Sequence, residues 1–240
     1  MKPAGPRILT INGGSSSIRF ALYESGEPPE RRLSGMIDRI GLSGTKLTFH
    51  EPGRNPPDSV SLAASDHKSA AHFLMDWLEE HVGLNSVAGV GHRVVHGMHH
   101  TQPELITQEL LEELHRIVPC DPQHLPGEIK PIEAFNQRHP KLRQVACFDT
   151  AFHRTMPRVS RLLPIPRRYT DQGVERYGFH GLSNAYLIEE LARLSDPAAT
   201  KGRVILAHLG NGVSLAAVPP CTTARALTPA WTSRRRRDYR

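Results

Sequence analysis

An α/β fold built on a mixed sheet is what this sequence predicts, and three observations predict it. Segments with strand character alternate with segments whose apolar residues recur at helical spacing. Turn residues, chiefly Gly, Ser, Pro and Asn, punctuate the boundaries between them. The 240 residues, 38% of them hydrophobic, can bury an ordinary core in one large domain or two small ones.

The elements follow in order. Ile8 to Tyr23, reading ILTINGGSSSIRFALY, is an apolar strand that enters a glycine-serine turn and leaves it as a second strand. From Gly41 to Ser65 the chain is polar and rich in Gly, Pro and Ser, with a short strand at Lys46 to His50 and a loop. Asp66 can cap a helix whose apolar face is Ala70, Phe73, Leu74, Trp77 and Leu78. Val87 to His96 reads as a buried strand. A second amphipathic helix carries Leu110, Leu111, Leu114, Ile117 and Val118, and Pro119 closes it. Glu128 to Arg138 is helical and leads to a strand at Gln144 to Asp149. Ser183 suits the N-cap of a helix bearing Tyr186, Leu187, Leu191 and Leu194. Arg203 to Leu209 and Val213 to Val218 are strands joined by a tight turn, and no internal repeat is evident.

The net charge of +6 raises the question of nucleic acid, since clustered Lys and Arg neutralise phosphates. Its distribution argues otherwise. Acids and bases interleave up to about Val218, whereas the last stretch holds Arg225, Arg234, Arg235, Arg236, Arg237 and Arg240 against Asp238 alone. No segment approaches membrane-spanning length and nothing after Met1-Lys2 looks like a secretory signal, so a cytoplasmic protein with no membrane partner is expected. Cys120, Cys147 and Cys221 are odd in number and widely spaced, which suggests neither a disulfide framework nor a CxxC metal site.

The residues suited to chemistry sit where strands end, which is where open α/β sheets place ligands. In the first turn, two glycines remove side-chain bulk and permit positive φ, and the backbone N–H groups can all face one small anion. Asn12 and Arg19 flank that turn with a neutral oxygen and a fixed cation. A flexible hairpin turn is the bland alternative. Within GHRVVHG, Arg93 calls for an anionic partner, which either an internal carboxylate or a ligand can be. Within CFDTAFH, Asp149 ends a strand and suits a helix cap or a reacting group. In RYGFHGLS, His180 precedes a helix, and Gly178 and Gly181 allow a ligand to come close. The Gly210-Asn211-Gly212 turn of AHLGNGVSLAAV suits a hairpin or a second phosphate-binding loop.

Taken together, in order and spacing, these motifs resemble the acetate kinases, the acetokinase family, over about Ile8 to Val218. The resemblance implies the ribonuclease H-like architecture of the sugar kinase, Hsp70 and actin superfamily. Residues 1–218 would be the family's amino-terminal region, the first such domain plus the start of the second, and 219–240 an aberrant Arg-rich tail expected to be disordered. It implies reversible transfer of the ATP γ-phosphoryl group to acetate, giving acetyl phosphate and ADP, with Mg²⁺ as cofactor. Carried over by position, Asn12 would help hold Mg²⁺, and Ser15 and Ser17 would border the phosphates. Arg19 stands where the family usually has Lys near ATP, and Arg93 would bind the substrate carboxylate. Asp149 takes the catalytic acid or base position, and His180 would stabilise the transferring group. His208, Leu209, Gly210, Asn211 and Gly212 would contact ATP phosphates. Where many members read Pro-Leu-His-Asn-Pro, this chain reads Val118-Pro119-Cys120-Asp121-Pro122-Gln123-His124-Leu125-Pro126, so the role of His124 and the choice among acetate, propionate and butyrate stay open.

After Val218 the pattern breaks. Permitted codons for Ala224 to Arg240, read one frame over, spell Lys-Ser-Ile-Asp-Thr-Ser-Met-Asp-Phe-Thr-Pro and so restore the family's continuation, which predicts a frameshift just after Val218. Sequencing the coding DNA tests this: the idea fails if no single-base shift yields that reading. A genuine basic tail that binds RNA or a membrane surface is the alternative. The family's second half would supply the adenosine pocket, another arginine, a Mg²⁺-binding glutamate and the usual homodimer contact. The 240-residue product is therefore expected to be impaired in turnover or to be a non-catalytic fragment.

Overall fold

The computed structural model describes residues 5–194, 202–210, 212–219 and 230–234, the last of these by backbone alone. It divides into two compact units, Met1–Val94 with Pro103–Cys147, and Val95–Gln102 with Phe148–Arg240. The expected α/β class with a mixed sheet holds.

The first unit is built on an eight-stranded sheet. Its strands are β1 (Arg7–Gly13), β2 (Ser17–Glu24), β3 (Glu30–Asp38), β4 (Lys46–His50), β5 (Asp58–Ser61), β6 (Val87–Val94), β7 (Glu104–Leu105) and β8 (Gln144–Phe148). Their order is β5-β4-β3-β2-β1-β6-β8-β7. β1 to β5 run as an antiparallel meander, and β6 joins β1 in parallel. Three helices belong to this unit: α1 (His67–His81), α2 (Gln108–Ile117) and α3 (Leu125–Arg138). The alternation of the strands sorts their side chains. Leu9, Ile11, Ile18, Phe20, Leu22, Leu33, Ile37 and Leu47 are buried on one face, and Leu74, Leu78 and Phe135 from α1 and α3 join the same core. Trp77 anchors it, with its ring 5.8 Å from that of Phe20, 4.7 Å from Phe49 and 4.2 Å from His81.

α1 begins as expected at Asp66, whose carboxylate accepts from the Ser69 N–H at 2.8 Å while Ser69 Oγ returns a bond to the Asp66 N–H, a complete capping box. α3 starts three residues before the expected Glu128, because Pro126 fits a first helical turn. Pro131 lies inside it, and lacking an N–H it leaves the Gly127 carbonyl without its helical donor. Three strands of this sheet, β3, β5 and β7, were not foreseen, and the strand expected to reach His96 stops at Val94.

The second unit contains short helices α4 (Arg158–Arg161) and α5 (Arg167–Asp171), the longer α6 (Gly181–Arg193), and a three-stranded antiparallel sheet. That sheet has the order β11 (Ala230–Arg234), β10 (Val213–Val218), β9 (Val204–Leu209). Its core is Phe152, Met156, Ile188, Leu206, Ala216 and Val218. The expected Ser183 cap is corrected: α6 starts at Gly181, with His180 in the cap position at φ 59° and no side-chain cap of its own. The expected apolar face is corrected too, since Tyr186, Leu187 and Leu194 are exposed and Ile188 and Asn184 are the buried positions. Within the tail expected to be disordered, Ala230–Arg234 pair with β10; residues 220–229 and 235–240 lie outside the described residues, as does Asn211. Among the described residues no helix is long and apolar enough to cross a membrane.

Candidate active site

In the first unit strand register assembles a polar row. Asn12 on β1 is paired with Arg19 on β2 and with Arg93 on β6, so two guanidinium groups flank one neutral amide on adjacent strands. Arg93 Nη1 donates to Asn12 Oδ1 at 3.1 Å. Asn12 and Arg93 are half-buried and Arg19 is exposed. Strand alternation turns this row away from the face buried by Leu9 and Ile11.

The glycine-serine turn follows directly, and its geometry corrects one expectation. Neither Gly13 nor Gly14 has a positive φ. Gly13 is required because a Cβ there would lie 2.7 Å from the Gly127 carbonyl oxygen, the one freed by Pro131. The turn's N–H groups do not all face outward either, since the Gly14 N–H donates to the Ser17 carbonyl at 2.7 Å. His67 Nε2 bonds to the Gly14 carbonyl at 2.6 Å and the Ile40 N–H donates to the Ser16 carbonyl at 2.9 Å, which hold the turn in place. Ser15 is exposed and Ser17 half-buried, so their hydroxyls are the turn's contribution to any ligand.

The first unit also holds a histidine–carboxylate pair. His124 sits at the N-terminus of α3, where its Nδ1 bonds to Asp121 Oδ1 at 2.8 Å, and Asp121 is only 4% exposed. The carboxylate fixes the orientation of the ring. An Asp and a His three residues apart before a Leu-Pro helix start was the signal for this pair.

In the second unit three of the expected residues converge. His180 and His208 stack with ring centroids 3.8 Å apart and planes 9° apart. His180 Nδ1 bonds to Ser214 Oγ at 2.8 Å, and Ser214 on β10 is 3% exposed. Gly212 lies against the same ring, where an added Cβ would be 3.8 Å from His180 Cε1. Asp149 is fully buried, and its Oδ1 accepts from the Leu182 N–H at 3.2 Å. The cap that Ser183 was expected to supply thus comes from a carboxylate 33 residues away. Gly181 is obligatory at this junction, because a Cβ there would sit 1.9 Å from the Asp149 carbonyl oxygen. Leu209 and Gly210 are exposed at the end of β9.

The adjacent N-terminus of α6 adds the positive end of a helix. Nearby His153 is held neutral, its pKa pushed down to about 4 by burial, against a smaller upward effect of the Phe179 carbonyl that its Nε2–H reaches at 3.1 Å. The residues described do not fit a magnesium site of their own. Asn12 Oδ1 faces a guanidinium, and among the described residues no three His, Cys, Asp or Glu converge.

Known proteins are similar to this chain over most of its length. The model of the acetokinase family matches residues 7–229. An acetate kinase of Methylocella silvestris is 39% identical over 223 residues, covering 88% of this chain and 55% of the relative. One of Deinococcus radiodurans is 40% identical over 226 residues, covering 92% and 56%. Among solved structures, the acetate kinase of Porphyromonas gingivalis superposes with a TM-score of 0.78 at 31% identity, over 90% of this chain and 55% of that one. A propionate kinase of Francisella tularensis superposes with a TM-score of 0.81 at 32% identity, over 95% and 57%. The chain thus spans about half the length of the curated relatives it matches. It belongs to the acetokinase family.

Proposed function

We propose that this chain carries part of the site of a kinase that reversibly moves a phosphoryl group between ATP and acetate, giving acetyl phosphate and ADP. The observation that carries the reading is the His180–His208 stack beside the N-terminus of α6. Phosphoryl transfer asks for alignment and for hydrogen-bond donors and positive potential around the equatorial oxygens, for which the stacked rings offer a fixed geometry and the α6 N-terminus a positive helix end. Arg93, planar and permanently charged, is the group for the acetate carboxylate, with Asn12 orienting it. Ser15, Ser17 and Arg19 are the first unit's candidates for phosphate oxygens, and His208, Leu209, Gly210 and Gly212 are the second unit's. Mg²⁺ would come with the nucleotide and would offset the negative charge of its phosphates.

Asp149 is assigned a positioning role in place of acid–base catalysis. Acetate is already a carboxylate at neutral pH and has no proton to lose to a base. A fully buried carboxylate bonded to the Leu182 N–H instead holds the first turn of α6 and so the left-handed backbone of His180. A propionate substrate is the second reading, favoured by the likeness to the Francisella tularensis propionate kinase structure.

The test joins residues 7–218 to the carboxy-terminal part of the Methylocella silvestris acetate kinase and traps the acyl phosphate as a hydroxamate. ATP-dependent product is expected, with His180→Ala lowering kcat at least about a hundredfold and Arg93→Ala raising KM for acetate at least about tenfold. The order of rates with acetate, propionate and butyrate decides the substrate. A folded chimera that forms no acyl phosphate from any of the three overturns the proposal. The 240-residue chain alone is expected to fall far short of such turnover, and ordinary rates from it would refute the need for a second half.

A further inference from the structure

A cavity of about 120 Å³ lies wholly inside the second unit, and the reaction proposed above uses none of its lining residues. Its walls include Thr150, His153, Arg154, Arg161, Glu175 and Arg176. The volume decides what class of ligand fits. It corresponds to about four water molecules of roughly 30 Å³ each, too small for a nucleotide and large enough for one small ion with a water or two.

The chemistry of the walls decides the sign. Arg161 meets Glu175 through Nη1 at 3.5 Å, longer than a charge-assisted hydrogen bond ordinarily is. Its Nε is buried and has no partner. A buried guanidinium N–H without an acceptor carries a desolvation penalty that an anion in the cavity would relieve. Thr150 Oγ1 accepts from the Gly97 N–H at 3.1 Å, which leaves its own hydrogen to donate inward. Arg154 adds a second fixed charge at the wall, whereas Glu175 is the one carboxylate among the lining residues. His153 contributes no charge near neutrality, since burial holds its pKa at about 4. At the edge Met98 is held at φ 46°, a left-handed conformation that a non-glycine residue keeps only when its surroundings enforce it.

We propose that this cavity binds a small oxyanion of the phosphate class, with Arg161 as principal ligand and Thr150 and Arg154 completing its donors. Glu175 competes with the anion for Arg161 and so sets the affinity. The site is independent of the reaction assigned above and would stand if that assignment fell.

Titration calorimetry of inorganic phosphate into the purified 240-residue chain at pH 7.5 tests this. Saturable binding is expected, weakened at least about tenfold by Arg161→Ala through loss of charge-assisted bonds. Glu175→Gln should tighten binding about threefold by removing the competitor, a gain that a misfolded variant cannot produce. Arg161→Lys should restore part of what Arg161→Ala loses, because the charge returns without the planar fork. Acetate serves as the planar, singly charged comparison. The proposal is overturned if phosphate shows no saturable binding, if both Arg161→Ala and Glu175→Gln leave the isotherm unchanged, or if acetate binds more tightly than phosphate.

Discussion

In the first unit Arg19, Asn12 and Arg93 meet because three strands are in register, whereas in the second His180 and His208 meet because a turn holds one histidine left-handed against a strand. The register-built row rests on many backbone hydrogen bonds, so no single residue holds it together. The turn-built stack hangs on a junction of three contacts: Gly181 against the Asp149 carbonyl, the Asp149 carboxylate on the Leu182 N–H, and Ser214 on the His180 ring. The two sites should therefore fail differently when their supports are removed.

The largest expected effect is at that junction. Gly181→Ala would place a Cβ 1.9 Å from a backbone oxygen and 2.7 Å from Phe152 Cβ, and neither neighbour is a flexible side-chain end. A loss of about 3 kcal/mol in urea unfolding is expected, together with loss of the histidine stack. An unchanged midpoint would show that the junction is not what holds the second site. The matching change in the first unit, Gly13→Ala, meets the Gly127 carbonyl at 2.7 Å. About 2 kcal/mol is expected there, with the row of Arg19, Asn12 and Arg93 surviving because register maintains it.

How much of this was legible in the sequence follows the same division. α1 was readable because its cap and its apolar face are local, carried by Asp66 and by Leu74, Trp77 and Leu78. α6 was misread because its cap comes from Asp149, which no local pattern announces, and because only Ile188 and Asn184 among its middle residues are deeply buried. β3 was missed since its first three residues, Glu30, Arg31 and Arg32, are charged and exposed, so the alternation is weak. Asn12, Arg93, Asp149 and His208 could be picked out as polar residues near strand ends, and the pairing of Asn12 with Arg93 follows once β6 is placed beside β1. The stacking of His180 on His208 was not visible, because it depends on how β9 and β10 pair and how the turn before α6 is held. The His124–Asp121 pair was in view, yet its departure from the family's usual residues obscured it.

Both units bury a neutral histidine, which allows the comparison to be sharpened with pH. His92 bonds to Gln144 at 2.7 Å and His153 to the Phe179 carbonyl, and burial pushes each pKa down to about 4 from an ordinary 6.5. In that window the unfolded chain binds more protons than the folded one, so stability is complete above pH 6.5 and declines as pH falls toward 4. Each histidine should account for about 1 kcal/mol between pH 6.5 and 5.5. His92→Gln should flatten the acid limb of the first unit's transition and leave that of the second intact, with His153→Gln doing the reverse. Equal flattening of both transitions by either change would mean the units do not titrate separately.

The smallest expected effect distinguishes a row set by register from one set by charge. Asn12→Asp places a carboxylate between Arg19 and Arg93 at the position where Oδ1 already accepts from Nη1 at 3.1 Å. If register alone positions these residues, the backbone stays as it is and the new ion pairs add about 0.5 kcal/mol, the ordinary worth of half-exposed pairs. That gain should disappear in 1 M salt, where screening acts over roughly 3 Å. Acetate binding by the full-length chimera should weaken at the same time, since Arg93 would be partly neutralised by its neighbour. A destabilised Asn12→Asp variant at low salt would mean that the row is held by the neutral amide's own bonding, and the contrast drawn between the two units would then apply to neither.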